Sequence, residues 1–273
     1  MSLALRPSQR ADEGSPSAWI PSERGTLILS GGGWVPRGRF VELAGGKSAR
    51  LVVIPTAGES ADDPAWDPAE LWHSWGVQHV TVLHTRDRGR ADDPSFCRPI
   101  DEATAVWISG GTQSWLSEAY AGTEVERALA RLLARGGVVG GTSAGASILS
   151  KVMISGGRDE VEVGVGFDLA PGVVIDQHFF KQNRMKRLSR ILADHGELIG
   201  LGIDEDAAIE FNLSHNRLRA IGYSYTMICV PAGPDSDGEL RIEFLKKGDE
   251  ADLNRIRDRS ANAVIPWVDI ESL

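Results

Sequence analysis

Cysteine is nearly missing from this sequence: Cys97 and Cys229 are the only two in 273 residues. Two thiols so far apart build no disulfide framework and match no metal-ligand spacing, so they read as buried free thiols. Long apolar runs are missing too. No segment approaches the roughly 20 residues that a membrane-spanning helix needs, and residues 1–24 mix Arg, Ser, Pro and Glu without the apolar stretch of a signal peptide. The expectation is a cytoplasmic protein with no membrane partner, a flexible tail over 1–24 and a single α/β domain over 25–273. Positive charge is also short: 29 Lys and Arg stand against 38 Asp and Glu, a net charge of −9. With no dense basic cluster, the chain excludes nucleic acid as a partner. Neither Gly31-Gly32-Gly33 nor Gly110-Gly111 completes a phosphate-loop pattern, and no cofactor or metal is expected.

What is present is an alternation of short apolar runs with helical stretches. Thr26 to Leu29, Leu51 to Ile54, Val80 to Leu83, Ala105 to Ile108 and Val138-Val139 are apolar on both sides and closed by Gly, Pro or polar turns, the pattern of parallel strands covered by helices on both faces. Val125, Ala128, Leu129, Leu132 and Leu133 recur at helical spacing, and Gly136-Gly137 ends that helix. Past about residue 200 the runs Ala207 to Phe211, Leu218 to Gly222, Thr226 to Val230 and Leu240 to Leu245 follow one another without helices, and are expected to extend the sheet with antiparallel strands. The tryptophans Trp66, Trp72 and Trp75 read as packing residues.

Chemistry concentrates at Gly141-Thr142-Ser143-Ala144-Gly145, directly after an apolar strand and before Ala146-Ser147-Ile148-Leu149. Small residues on both sides of a serine permit the sharp strand-to-helix turn that lifts a hydroxyl out of a sheet, a nucleophile elbow with Ser143 at its tip. Such a serine needs a base and a group that orients the base. The run Val173 to Gln177 delivers His178 at a strand's C-terminal end, where sites of open α/β sheets gather. The other histidines, His73, His79, His84, His195 and His215, read as residues of helices or exposed turns. Between serine and histidine lies a turn carrying Asp159, Glu160 and Glu162, any of which can orient an imidazole, with Glu160 ranked first. Gly110-Gly111 closes the strand Ala105 to Ile108; it reads either as a plain turn or as a loop whose Gly111 N–H joins that of Ala144 in an oxyanion hole.

Four stretches, Ser109-Gly110-Gly111-Thr112-Gln113, Gly141 to Ala146, Asp176-Gln177-His178-Phe179 with Asn183-Arg184-Met185 and Arg187-Leu188, and Gly200-Leu201-Gly202-Ile203-Asp204-Glu205-Asp206, together resemble the cyanophycinases, in the serine peptidase family that also contains α-aspartyl dipeptidases. The resemblance implies a three-layer α/β sandwich like that of class I glutamine amidotransferases. It also implies a nucleophile at Ser143, a base at His178, an acid on or next to Glu160, and a substrate pocket lined by Gln113, Gln177, Arg184 and Arg187. The implied substrate is a peptide or polymer such as cyanophycin, a poly-aspartate bearing arginine side chains that is released as β-aspartyl-arginine; the implied assembly is a homodimer. Trp115, just past Gln113, is expected at the pocket's border. Thr112 and Gln182 depart from the family pattern, which usually has aspartate and often arginine there.

Overall fold

The computed structural model describes residues 25–157, 160–232 and 239–260. The five apolar runs of the first half form parallel strands β1 (Thr26–Ser30), β2 (Arg50–Ile54), β3 (His79–Val82), β4 (Ala105–Ile108) and β5 (Val138–Thr142), side by side in the order β1-β5-β4-β2-β3. Strand alternation divides their side chains between two faces. Ile28, Leu51, Val53, Trp107 and Val138 point to one face and pack with Phe40 of α1 (Arg37–Leu43) and Trp72 of α2 (Ala69–Ser74). Leu27, Leu29, Val52, Ile54, Val106, Ile108 and Val139 point to the other. There they meet α3 (Arg88–Ala91), α4 (Pro94–Glu102), α5 (Gln113–Tyr120) and α6 (Glu124–Ala134) through residues such as Cys97, Leu116, Tyr120 and Leu129.

After β5 comes the one-turn helix α7 (Ala144–Ser147), then β6 (Val152–Gly156), β7 (Glu162–Val165), β8 (Val173–Gln177), α8 (Met185–Asp194) and β9 (Ile199–Ile203). The run closes with β10 (Ala208–Asn212), β11 (Arg217–Ala220), β12 (Thr226–Pro231), β13 (Leu240–Leu245) and β14 (Glu250–Asp252). Here the topology departs from expectation. β10, β11 and β14 do extend the large sheet antiparallel beyond β1, giving eight strands. β12 and β13 do not: they join β9 and β8 in a separate four-stranded sheet, in which β8 and β9 run parallel. The acidic turn between Ser143 and His178 is a β6–β7 hairpin with a bulge. The protein is thus a mixed α/β fold with a large, mostly parallel sheet and antiparallel additions. One buried cluster reaches from Leu27 and Val139 in the large sheet to Ile175, Leu201 and Ile228 in the smaller one. Among the described residues, no helix is long and apolar enough to cross a membrane.

Both cysteines are buried and unpaired, and burial pushes the thiol of Cys97 up to about 11 and that of Cys229 up to about 12. Of the three clustered tryptophans only Trp72 packs, with ring centroids 5.4 Å from both Phe40 and Trp107. Trp66 and Trp75, which lie before and after α2, are 41% and 48% exposed. His79 opens β3 rather than lying in a helix or turn.

Gly140 gives this aromatic cluster its room: a Cβ there would lie 2.5 Å from the Trp107 ring and 2.8 Å from Phe40. Gly140→Ala is expected to lower stability by about 1–3 kcal/mol, the usual range for overpacking a filled core. Chemical denaturation of both proteins checks it; an unchanged midpoint would show that the rings shift freely.

Candidate active site

The serine at the end of β5 adopts φ 52° and ψ −117°, a backbone that side-chain-bearing residues rarely take. Its neighbours explain how it is held. A Cβ on Gly141 would stand 2.0 Å from the carbonyl oxygen of Gly145, and a Cβ on Gly145 would stand 2.1 Å from that of Ile108. The two glycines of the motif therefore let three backbone segments touch. Ser143 N–H donates to the Ser30 carbonyl at 2.9 Å, and the Ser143 carbonyl accepts from Ala146 and Ser147 at 3.0 Å each. Pinned on both sides, the turn lifts its hydroxyl off the sheet.

His178 follows β8 at φ 48°. Its N–H donates to the Gly31 carbonyl at 2.9 Å, and its ring lies over Gly32, where a Cβ would be 2.2 Å from Cε1. Nε2 stands 2.9 Å from Ser143 Oγ and Nδ1 stands 2.9 Å from Glu205 Oε1. An ionised carboxylate only accepts, so Nδ1 carries the hydrogen and Nε2 turns its lone pair to the serine hydroxyl. Histidine and glutamate side chains are 21% and 31% exposed, sheltered yet reachable.

Glu205 corrects the sequence reading, which put Glu160 on the imidazole. The reason is register. β8 and β9 pair parallel with Gln177 opposite Ile203, so the turns that follow the two strands emerge side by side, His178 directly after β8 and Glu205 two residues after β9, where its carboxylate meets Nδ1. Glu205 is fixed between two aspartates that face away from the histidine. Asp204 accepts from the Lys181 N–H at 2.9 Å, and Asp206 accepts from the Trp34 N–H at 2.6 Å while its own N–H donates to Gly32. Glu160 is exposed on the hairpin, its carbonyl folded over Gly157, and Glu162 opens β7 beside Gly156. Asp159 lies outside the described residues. Glu205 was present in the fourth family-like stretch, but no local pattern marks it.

The glycine pair after β4 abuts the serine: a Cβ on Gly110 would lie 3.1 Å from Ser143 Cβ, and Gly111, at φ 140°, is wedged against the Ala57 carbonyl. Ala144 opens α7. Gln113 is the half-buried first residue of α5. Two residues on, Trp115 stacks under the Arg86 guanidinium at 3.9 Å.

Two of the expected pocket residues do other work. Arg187 is buried and forks onto the fully buried Asp176, with Nε 2.8 Å from Oδ2 and a second contact from Nη2 to Oδ1, while Nη1 donates to the Gly157 carbonyl. Its planar fork matches a carboxylate, and here the carboxylate belongs to the protein. Gln177 is buried beneath the elbow helix, 3.4 Å from Ser147 Oγ. Both side chains, expected at the substrate, are packed against the protein itself, because alternation along β8 sends Asp176, which holds Arg187, and Gln177 into opposite packed layers. Arg184 is half-buried, with Nη1 donating to the Gln177 carbonyl at 2.6 Å and Nη2 to Gln182.

Removing one partner of a buried pair leaves the other uncompensated. Asp176→Asn is therefore expected to cost about 3–5 kcal/mol of folding stability. Denaturant unfolding reads this, and a loss below about 1 kcal/mol would place the pair on the surface scale instead.

The model of peptidase family S51 matches residues 27–218. A cyanophycinase from Thermosynechococcus vestitus is 32% identical over 231 residues, 77% of this chain and 71% of that protein. A cyanophycinase from Geminocystis herdmanii is 34% identical over 63% of this chain and 66% of its own length, so the match spans just under two thirds of that relative. The crystal structure of a peptidase from an acI-B1 Actinobacterium shares the fold with a TM-score of 0.63 at 23% identity, covering 84% of this chain and 97% of that one. The likeness read from four short stretches thus extends over most of the chain, which belongs to peptidase family S51.

Proposed function

We propose that this chain is a serine-type hydrolase that cleaves aspartyl peptide bonds, acting on cyanophycin or a similar polymer and releasing β-aspartyl-arginine. The observation that carries the reading is the hydrogen-bonded line from Ser143 Oγ through the imidazole of His178 to Glu205, with both links at 2.9 Å. The substrate part rests on the named relatives. The amidotransferase-like scaffold belongs to the same reading, supported by the strand–elbow–helix unit of β5 and α7.

In the proposed cycle His178 Nε2 takes the hydroxyl proton as Oγ attacks the scissile carbonyl carbon. The carbonyl oxygen becomes an oxyanion between the N–H groups of Gly111 and Ala144, where each donor lowers the barrier by about 2.7–4 kcal/mol. The imidazolium is stabilised by Glu205, then hands its proton to the departing amine. Water enters, loses a proton to His178 and attacks the acyl-enzyme, and Oγ leaves with that proton. Glu205 keeps the hydrogen on Nδ1 throughout, so the lone pair always faces the serine.

Ser143→Ala is expected to lower turnover of cyanophycin by about 10³-fold or more. Glu205→Gln presents an amide that stabilises the wrong tautomer and is expected to cost about 10³–10⁴-fold. Glu160→Gln, on the exposed hairpin, is expected to stay within about twofold, as surface changes do. Product release followed by mass spectrometry checks all three. A Glu160→Gln loss matching that of Glu205→Gln would reverse the assignment of the acid. Release from Asp-X dipeptides but not from cyanophycin would favour an α-aspartyl dipeptidase, and ligand binding without any release would favour a non-catalytic descendant, to which the departures at Thr112 and Gln182 point.

A further inference from the structure

A cavity of about 500 Å³ opens beside the serine, and the machinery described so far does not use it. Ser109 and Thr142 line its inner end, and these are the residues immediately before Gly110 and Ser143. In the sheet order β1-β5-β4-β2, His178 comes over β1 on one side of the elbow strand; the cavity lies over β4 and β2 on the other. The C-terminal ends of parallel strands are where α/β sheets bind ligands.

Its chemistry is specific. Trp107, 4% exposed, forms part of the floor and Trp66, 41% exposed, stands at the mouth, giving two indole surfaces across which an aliphatic stem can lie. Arg37 is its one cation. The Nε of Arg37 is buried, and among the described residues it has no hydrogen-bond partner; nor does any carboxylate there form an ion pair with this guanidinium. Burial alone pushes its pKa down, with no acidic neighbour to counter that. A buried donor of this kind costs free energy until an acceptor arrives, and a carboxylate suits the planar fork best. At the outer edge lie two exposed acids, Asp67 and Glu70.

We infer that this cavity is a recognition pocket for a dipolar residue of the substrate, whose carboxylate pairs with Arg37 while a cationic side chain crosses the tryptophans to reach Asp67 and Glu70. The inference rests on the hydrolase reading for its place in catalysis, but the binding itself is measurable without turnover. Polyphosphates and nucleotides are excluded by the acidic rim and the single cation. Because the rim is solvated, its attraction is small and screened, and the half-buried guanidinium with its unpartnered Nε supplies most of the selectivity.

The test uses N-acetyl-arginine, N-acetyl-arginine amide and N-acetyl-citrulline, which carry both charges, only the cation and only the carboxylate. Binding is followed by calorimetry and by indole fluorescence. The wild-type protein is compared with Arg37→Met, Arg37→Lys and the Asp67→Asn/Glu70→Gln double variant. Wild type is expected to bind the acid about tenfold or more tightly than the amide, the range for a hydrogen-bonded charge. Arg37→Met is expected to lose that preference while keeping its indole fluorescence and unfolding midpoint; should it misfold, Arg37→Lys, with the charge but not the fork, is expected to show a reduced preference. Citrulline and the rim variant are each expected to weaken binding about two- to fivefold, an effect that added salt removes.

Equal binding of acid and amide by wild type, an unchanged preference in a folded Arg37→Met, or no binding of any of the three would overturn the inference. Labelling of Ser143 by a fluorophosphonate on the same samples separates the two readings. Labelling without ligand binding sinks the pocket and leaves the hydrolase; ligand binding without labelling does the opposite.

Discussion

A main-chain hydrogen bond, from the N–H of His178 to the carbonyl of Gly31, joins the two sheets at the point where the chemistry gathers. Gly31 follows β1, and β1 pairs parallel with β5 so that Ser30 stands opposite Thr142 and the next residues, Gly31 and Ser143, leave the sheet together. In the smaller sheet the ends of β8 and β9 leave together in the same way. Two more bonds tighten the seam: Gly31 N–H reaches the Ala207 carbonyl, and Asp206 N–H reaches that of Gly32. Four strand ends are thereby brought to one spot, and hydroxyl, imidazole and carboxylate fall into line as a consequence. The arrangement also carries strain, since Ser143 and His178 both sit at positive φ, at roughly 1–3 kcal/mol each. Only a surrounding framework that fixes both flanks of each residue can hold such conformations, and the hydrogen bonds to Ser30, Gly31, Ala146 and Gln182 do so.

Charged side chains around this seam mostly serve the protein itself. Asp204 and Asp206 staple the turn that presents Glu205, while Asp176 and Arg187 lock α8 to β8 and reach across to the hairpin at Gly157. Such a buried pair adds little net stability over an apolar substitute, but it tolerates no single loss. Its position one residue from Gln177 and two from His178 ties the orientation of the helix to that of the imidazole. Residues that look like ligands for a substrate in a motif can therefore act one layer away, by fixing the backbone from which the reacting groups project.

Much of the framework was legible in sequence because it is locally encoded. Runs such as Leu51 to Ile54 and Ala105 to Ile108 are apolar on both faces and closed by breakers, and each is a strand of the parallel sheet. The elbow was legible for the same reason: Gly141 and Gly145 flank the serine at the two places where a Cβ would collide. Glu205 was not, since its partnership with His178 depends on the register of two strands separated by a helix, and spacing along the chain favoured the acids of the nearer hairpin. The separation of β12 and β13 from the large sheet was hidden likewise, because an apolar strand does not encode which edge it will join.

Arg187 and Arg37 show where sequence reasoning stops and packing takes over. Both are arginines near the start of a helix, and the motif singled out only the first. In the folded protein Arg187 meets Asp176 and its fork is filled, whereas the Nε of Arg37 is buried without an acceptor among the described residues. The difference comes from the opposing strand, since β8 brings a buried aspartate to α8, while the strands beneath α1 bring Trp107 and other apolar side chains. A cation facing its own carboxylate adds rigidity. One that shares a cavity with indole rings keeps its hydrogen-bonding capacity for what enters, and in a chain of net charge −9 a half-buried cation without an acidic partner is a local exception that a carboxylate can find.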